Sequence, residues 1–150
     1  MGRGFRLQAR ARPLLTIFVD TSVWSLALRR DRVPDGPEVR RLRDALADGE
    51  PLHTTGIVLQ ELLQGYGEPK ARSAIVERFA ALPLITPTRS DHVDAAGLRN
   101  RCRREGVQVG TIDALLAQLC IRHDLVMLST DRDFTRIAAR SHLRLWQPDA

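Results

Sequence analysis

The chain predicts an α/β domain built on a mostly parallel sheet. Short apolar runs alternate along it with segments whose apolar residues recur at helical spacing. Two of the runs, at residues 14–19 and 125–130, are each followed at once by an aspartate, Asp20 and Asp131. In an open parallel sheet, ligands bind in the crevice beyond the carboxyl ends of the strands, so two strands ending in Asp place two carboxylates in one cleft. At 150 residues the chain is long enough for one core and too short for two ordinary domains.

Residues 1–13 contain Arg3, Arg6, Arg10 and Arg12, no acid, and two glycines before Pro13. They predict a basic, disordered extension ahead of a domain at 14–147. The stretch lacks the apolar core and cleavage site of a secretory signal, while a transit peptide or a start codon placed too far upstream both fit it. The first strand is expected at 14–19. Ser22 is placed to cap a helix through Trp24, Leu26 and Leu28 that ends between residues 31 and 37. A second helix is expected over 38–48, with Val39, Leu42, Ala45 and Leu46 on its buried face and Gly49 closing it. A short strand at 51–53 leads through Thr54 and Thr55 to a helix at 56–64. A further helix covers 69–82, and a brief strand 84–86. Ser90 is placed to cap a helix that carries Val93, Ala96 and Leu98, ends in Arg99, Arg101, Arg103 and Arg104, and stops at Gly106. The arginines complement the helix dipole or serve RNA or a partner, two readings of equal weight. Thr111 is placed to cap a helix at 112–123, the fourth strand follows, a last helix begins over 134–139, and 143–146 forms a fifth strand at an edge.

The balance of 43% hydrophobic to 27% charged residues is that of a globular protein rather than a disordered one. No run of about 18 uncharged apolar residues exists, so no membrane span is expected. The net charge is +5, and withdrawing five acids around a metal doubles that excess. A basic exterior around an acidic cleft suits a protein that attacks a polyanion, and solubility charge is the plain alternative. Nearly all of the positive charge is arginine, with Lys70 the only lysine. Cys102 and Cys120 form no CxxC and read as free thiols of a reducing, cytoplasmic compartment. His53, His92, His123 and His142 show no zinc-ligand spacing.

Five acids carry the chemistry. Asp20 follows a strand and precedes the hydroxyl residues Thr21 and Ser22, so it suits either metal binding, with those hydroxyls holding waters or a phosphate, or a helix cap. Glu61 lies among Ile57, Val58, Leu59, Leu62 and Leu63, where an unpaired charge is costly. Asp113 sits in the first turn of its helix, where a ligand and a cap are equally plausible on spacing alone. Asp131 and Asp133 stand two apart, so either or both reach a metal, and Thr130 beside them is placed to bond a ligand or water. Clustered carboxylates repel unless a hard cation such as Mg2+ or Mn2+ sits among them.

The run Ile17 to Ser22, the Gln60-Glu61-Leu62 step after Thr54-Thr55, the stretch Gly110 to Ala117 and the run Leu128 to Phe134 together resemble the PIN-domain family, and within it the VapC-type toxins of bacterial toxin-antitoxin pairs. The resemblance covers residues 14–146. It implies a PIN-like α/β/α sandwich with a five-stranded sheet and a Mg2+- or Mn2+-dependent endoribonuclease cutting tRNA or rRNA. It also implies a homodimer and neutralisation by a VapB-type antitoxin. Asp20, Asp113, Asp131 and Asp133 would be the metal ligands, and Glu61 would act with them. An exposed groove of Trp24, Leu26, Ala27, Leu28, Val39 and Leu42 would suit the antitoxin, although burial is the default for these residues. The same motifs fit a catalytically silent PIN-like binding module. A Mg2+-dependent phosphoryl-transfer domain fits less well: a receiver needs an acidic pair at its first strand and a late lysine, and the phosphatase pattern needs Asp where Ser22 stands.

Overall fold

A computed structural model of the protein describes residues 15–29 and 36–148. The expected extension at 1–13 lies outside the described residues. Among those described, the strands are β1 (Ile17–Val19), β2 (Leu52–Thr55), β3 (Leu84–Ile85), β4 (Val126–Leu128) and β5 (Arg144–Leu145). Every pairing is parallel, in the order β3-β2-β1-β4-β5. The helices are α1 (Thr21–Ala27), α2 (Pro37–Asp48), α3 (Gly56–Gly65), α4 (Pro69–Ala80), α5 (Arg89–Arg104), α6 (Thr111–Arg122) and α7 (Arg132–Ala138).

Strand order explains the layering. From β1 the chain steps through β2 to β3 in one direction, then crosses β1 to β4 and on to β5 in the other. Because such crossovers are right-handed, a reversal of direction moves the connecting helices to the opposite face. The helices accordingly pack in two sets, α1 with α2 and α3 and α3 with α4, then α5 with α6 and α6 with α7. The reversal creates a switch point between β1 and β4, the position where open sheets bind ligands. β1 and β4 are buried at all three positions, which is why both read as unbroken apolar runs. Ile17, Phe18, Val19, Met127 and Leu128 join Trp24, Leu116, Phe134 and Ile137 in one core.

Local signals moved several boundaries. α1 stops at Ala27, short of the expected 31–37, and is capped by Asp20 rather than Ser22, because the Asp20 carboxylate takes the Ser22 N–H. α5 begins after Thr88, not Ser90: the Thr88 hydroxyl and the Asp91 carboxylate form a reciprocal capping box. Thr111 opens α6 instead of capping it, and Gly110 holds the cap position without a side-chain bond. α7 begins at Arg132, earlier than expected, with Asp131 as its cap. Gly49 and Gly106 do end helices, at φ 64° and 81°, a conformation that suits glycine. Trp24, Val39 and Leu42 are buried, with the Trp24 ring 5.0 Å from that of Phe79, so they offer no exposed groove.

Candidate metal centre and active site

The switch point is laced by hydroxyls. Asp20, just past β1, donates its N–H to the Leu128 carbonyl at 3.0 Å, which ties it to the end of β4. Its Oδ2 accepts from the Ser22 hydroxyl at 2.7 Å, the Ser129 hydroxyl at 2.9 Å and the Ser22 N–H at 3.4 Å. Each hydroxyl in turn accepts a backbone N–H from beyond β4. Thr130 donates to Ser22 Oγ at 3.1 Å, and Asp131 to Ser129 Oγ at 3.0 Å. None of these bonds uses Asp20 Oδ1.

The Asp131 Oδ1 accepts the N–H of Asp133 at 2.9 Å and so starts α7. Asp133 lies in the first turn of α7 and Asp113 in the first turn of α6, where unpaired N–H groups favour an anion. Packing of α6 against α7 closes the gap between them. One carboxylate oxygen from each of Asp113, Asp131 and Asp133 lies within 4.8 Å of the other two. Glu61 approaches from α3, whose first turn is held by the Thr55 hydroxyl accepting the Val58 N–H at 3.2 Å. Its Oε1 accepts the Thr21 hydroxyl at 3.2 Å.

The electrostatics follow. The Asp113 carboxyl is pushed up to about 6, first by burial and then by the charges of Asp131, Asp20, Asp133 and Glu61. Glu61 is raised by burial, against the lowering effect of the Thr21 bond, with the Asp20 charge adding to the rise. A cluster of oxygen donors without His or Cys fits a hard divalent cation rather than zinc. The raised proton affinity of Asp113 is the cost that such a cation would remove.

The family model for the PIN domain matches residues 17–140. The chain belongs to the PIN-domain family. A VapC ribonuclease of Mycobacterium bovis and the ribonuclease VapC11 of Mycobacterium tuberculosis are each 31% identical to it over 136 residues, covering 85% of this chain and 96% of the relative. Among solved structures, the VapBC2 complex of Rickettsia felis bound to promoter DNA superposes with a TM-score of 0.69 at 19% identity, covering 88% of this chain and 98% of the other. VapBC-1 of nontypeable Haemophilus influenzae gives 0.68 at 16%, covering 89% and 98%. VapC20 of Mycobacterium tuberculosis, a toxin that cleaves the sarcin-ricin loop, gives 0.62 at 19%, covering 82% and 94%.

In this PIN domain the five acids named from sequence do converge on one end of the sheet, but in two tiers. Asp113, Asp131 and Asp133 make the tight cluster, while Asp20 and Glu61 stand beside it and act on Asp113 through their charges. Asp20 is a helix cap, one of the two readings given to it, and it is also a neighbour of the cluster. Thr130 contributes its backbone N–H, and its side chain enters none of the bonds described. Ser129 was missed as a site residue, although it stands in the recognised run Leu128 to Phe134. Its role depends on Asp20, which is 109 positions away, and no local pattern carries that pairing. Arg136 was missed too. It lies 3.4 Å from Asp133, an exposed contact that contributes little.

Proposed function

We propose that this PIN domain, spanning residues 14–147, is an endoribonuclease toxin that uses Mg2+ or Mn2+ to hydrolyse phosphodiester bonds of tRNA or rRNA. The observation that carries the reading is the carboxylate cluster of Asp113, Asp131 and Asp133 beside Asp20 and Glu61, at the switch point of a PIN fold. Asp113, Asp131 and Asp133, with the Oδ1 of Asp20, would hold the cation. When bound, it offsets the repulsion among the carboxylates and supplies Lewis-acid polarisation of the phosphodiester and of the attacking water.

The chain's own groups do the rest. Ser22 and Ser129 fix the Asp20 carboxylate by two hydroxyl bonds, so it does not reorganise as charge develops. Thr21 holds Glu61 in place, and the raised proton affinity of Glu61 suits it to receive the proton of the attacking water. Exposed Arg132 and Arg136 lie on the rim, where they would hold the RNA backbone.

The names of the relatives, VapC ribonucleases and VapBC complexes, support RNA as substrate and a VapB-type antitoxin as partner. A homodimer belongs to the same reading. The antitoxin is better suited by a cleft of about 410 Å³ lined by Leu28, Arg29, Tyr66, Ile75 and Arg78 than by the buried Trp24 and Leu42.

The test is incubation of the purified protein with total RNA and defined tRNAs in Mg2+ or Mn2+, beside EDTA and Asp20→Ala controls. Discrete fragments that need both metal and Asp20 are expected. Intact RNA with folded protein, or phosphate released from a phosphomonoester instead, would overturn the reading.

A further inference from the structure

We propose that the recess at the ends of β4 and β5, beside the acidic cluster, is a subsite for one guanine of single-stranded RNA next to the bond that is cut. The proposal rests on the ribonuclease reading above. The recess has a volume of about 140 Å³ and is lined by Glu38, Thr130, Asp131, Arg132, Trp146 and Gln147, among others. A space of that order encloses an aromatic ring.

Its position follows from the sheet. Trp146 leaves β5 and donates its N–H to the Met127 carbonyl at 2.9 Å, which holds it level with the end of β4. Asp131 lines the recess and also belongs to the carboxylate cluster. Whatever fills the recess therefore lies beside the reacting phosphate. Of the groups of an RNA substrate that adjoin the scissile bond, the base is the one that suits a recess lined by an indole and a carboxylate.

The lining supplies the chemistry of base recognition. Trp146 packs partly against the core and also lines the recess, and the aromatic surface it leaves uncovered there is what an unpaired base would stack on. Glu38, in the first turn of α2, is half-buried and makes no hydrogen bond or ion pair among those described for the protein. Its two oxygens are acceptors only, and they need a base that presents two neighbouring N–H donors. Guanine does so with N1–H and the N2 amino group. Adenine and cytosine set an acceptor nitrogen beside their amino group, and uracil sets two carbonyls around one N–H, so each brings an acceptor against the carboxylate. Exposed Arg132 at the rim is placed for the adjoining phosphate.

Two readouts test this. In the first, RNAs of one sequence that differ only at the base flanking the mapped cut carry guanine, inosine, adenine, cytosine or uracil there. Wild-type kcat/KM is expected to fall about 10- to 100-fold from guanine to the others, the scale of one bidentate base contact, with inosine, which lacks the N2 donor, among the losers. Glu38→Gln is expected to collapse that ratio. In the second, tryptophan fluorescence is followed in EDTA as the pentamers UUGUU and UUAUU are added. Stronger quenching by UUGUU in the wild type, lost in Trp146→Phe, is expected. Equal cleavage of all five RNAs, an unchanged ratio in Glu38→Gln, or equal quenching by the two pentamers would overturn the subsite. Failure of the wild type to cut any RNA would instead sink the ribonuclease reading, and the titration in EDTA would still decide the subsite.

Discussion

In the metal-free protein Asp113 keeps its proton up to a pH of about 6, because burial and then the charges of Asp131, Asp20, Asp133 and Glu61 disfavour its ionised form. The sign of the linkage follows from proton counting. Between the ordinary carboxylate value of 3.8 and about 6 the folded state binds the proton and the unfolded state does not, so stability from this group is full below 3.8 and is lost as pH rises through about 6. Asp113→Asn, which cannot ionise, should therefore melt higher than the wild type at pH 8 without metal, while losing RNA cleavage altogether; a lower Tm together with retained cleavage would contradict this. Ser129 offers a second test. Its hydroxyl fixes Asp20 Oδ2 and accepts the Asp131 N–H, so Ser129→Ala should lower kcat about 10- to 100-fold, the usual scale for a group that orients a metal ligand, with Tm changed little. Single-turnover cleavage by wild type and variant measures it. Asp20, Asp113, Asp131 and Asp133 stood out in the sequence because each marks a strand end or helix start, and three of them, Asp113, Asp131 and Asp133, do cluster. Sequence missed Ser129 because its partner, Asp20, lies 109 positions away.

Among the elements, α5 and α6 are joined by one buried acid. Asp91 is fully buried; its Oδ2 accepts the Thr88 N–H at 2.8 Å and an Arg122 N–H at 2.8 Å from the last turn of α6. Burial works to raise this carboxyl, yet the Thr88 amide, Arg122 and the Thr88 hydroxyl outweigh it and bring the carboxyl below its ordinary value. Its contribution is therefore present above 3.8 and lost as pH falls through the depressed folded value. Asp91→Ala removes a capping box and strands Arg122, whose side chain is 39% exposed and rehydrates in part, so a loss of about 2–3 kcal/mol is expected in urea unfolding. The same acid shows what was hard to read. Ser90 and Asp91 both look like helix-start residues, and only the reciprocal bond with Thr88 decides the register. The strands were legible because β1 and β4 are unbroken apolar runs, whereas β3 and β5 hold two residues each and are defined by pairing rather than composition.

For the molecule as a whole, the parallel order β3-β2-β1-β4-β5 turns five acids spread over 114 residues of sequence into one acidic end on a chain of net charge +5. Alternating strand and helix signals made the α/β class readable, and the order of four short motifs made the family readable. Glu38 and Trp146, which line one recess although they stand far apart in sequence, were not. The basic exterior predicts that RNA binding weakens with salt. Arg132→Ala should lower the slope of log K against log salt by about 0.7, as loss of one contact to a single strand does, and an unchanged slope would remove Arg132 from the interface. The central claim, that the fold gathers Asp113, Asp131 and Asp133 to hold a catalytic cation, is tested most directly by calorimetric titration of the protein with Mn2+ between pH 5 and 8. Saturable binding that weakens as pH falls through about 6, and that disappears in folded Asp113→Asn, is the expected result. Binding of equal strength in the wild type and Asp113→Asn across that range would contradict it.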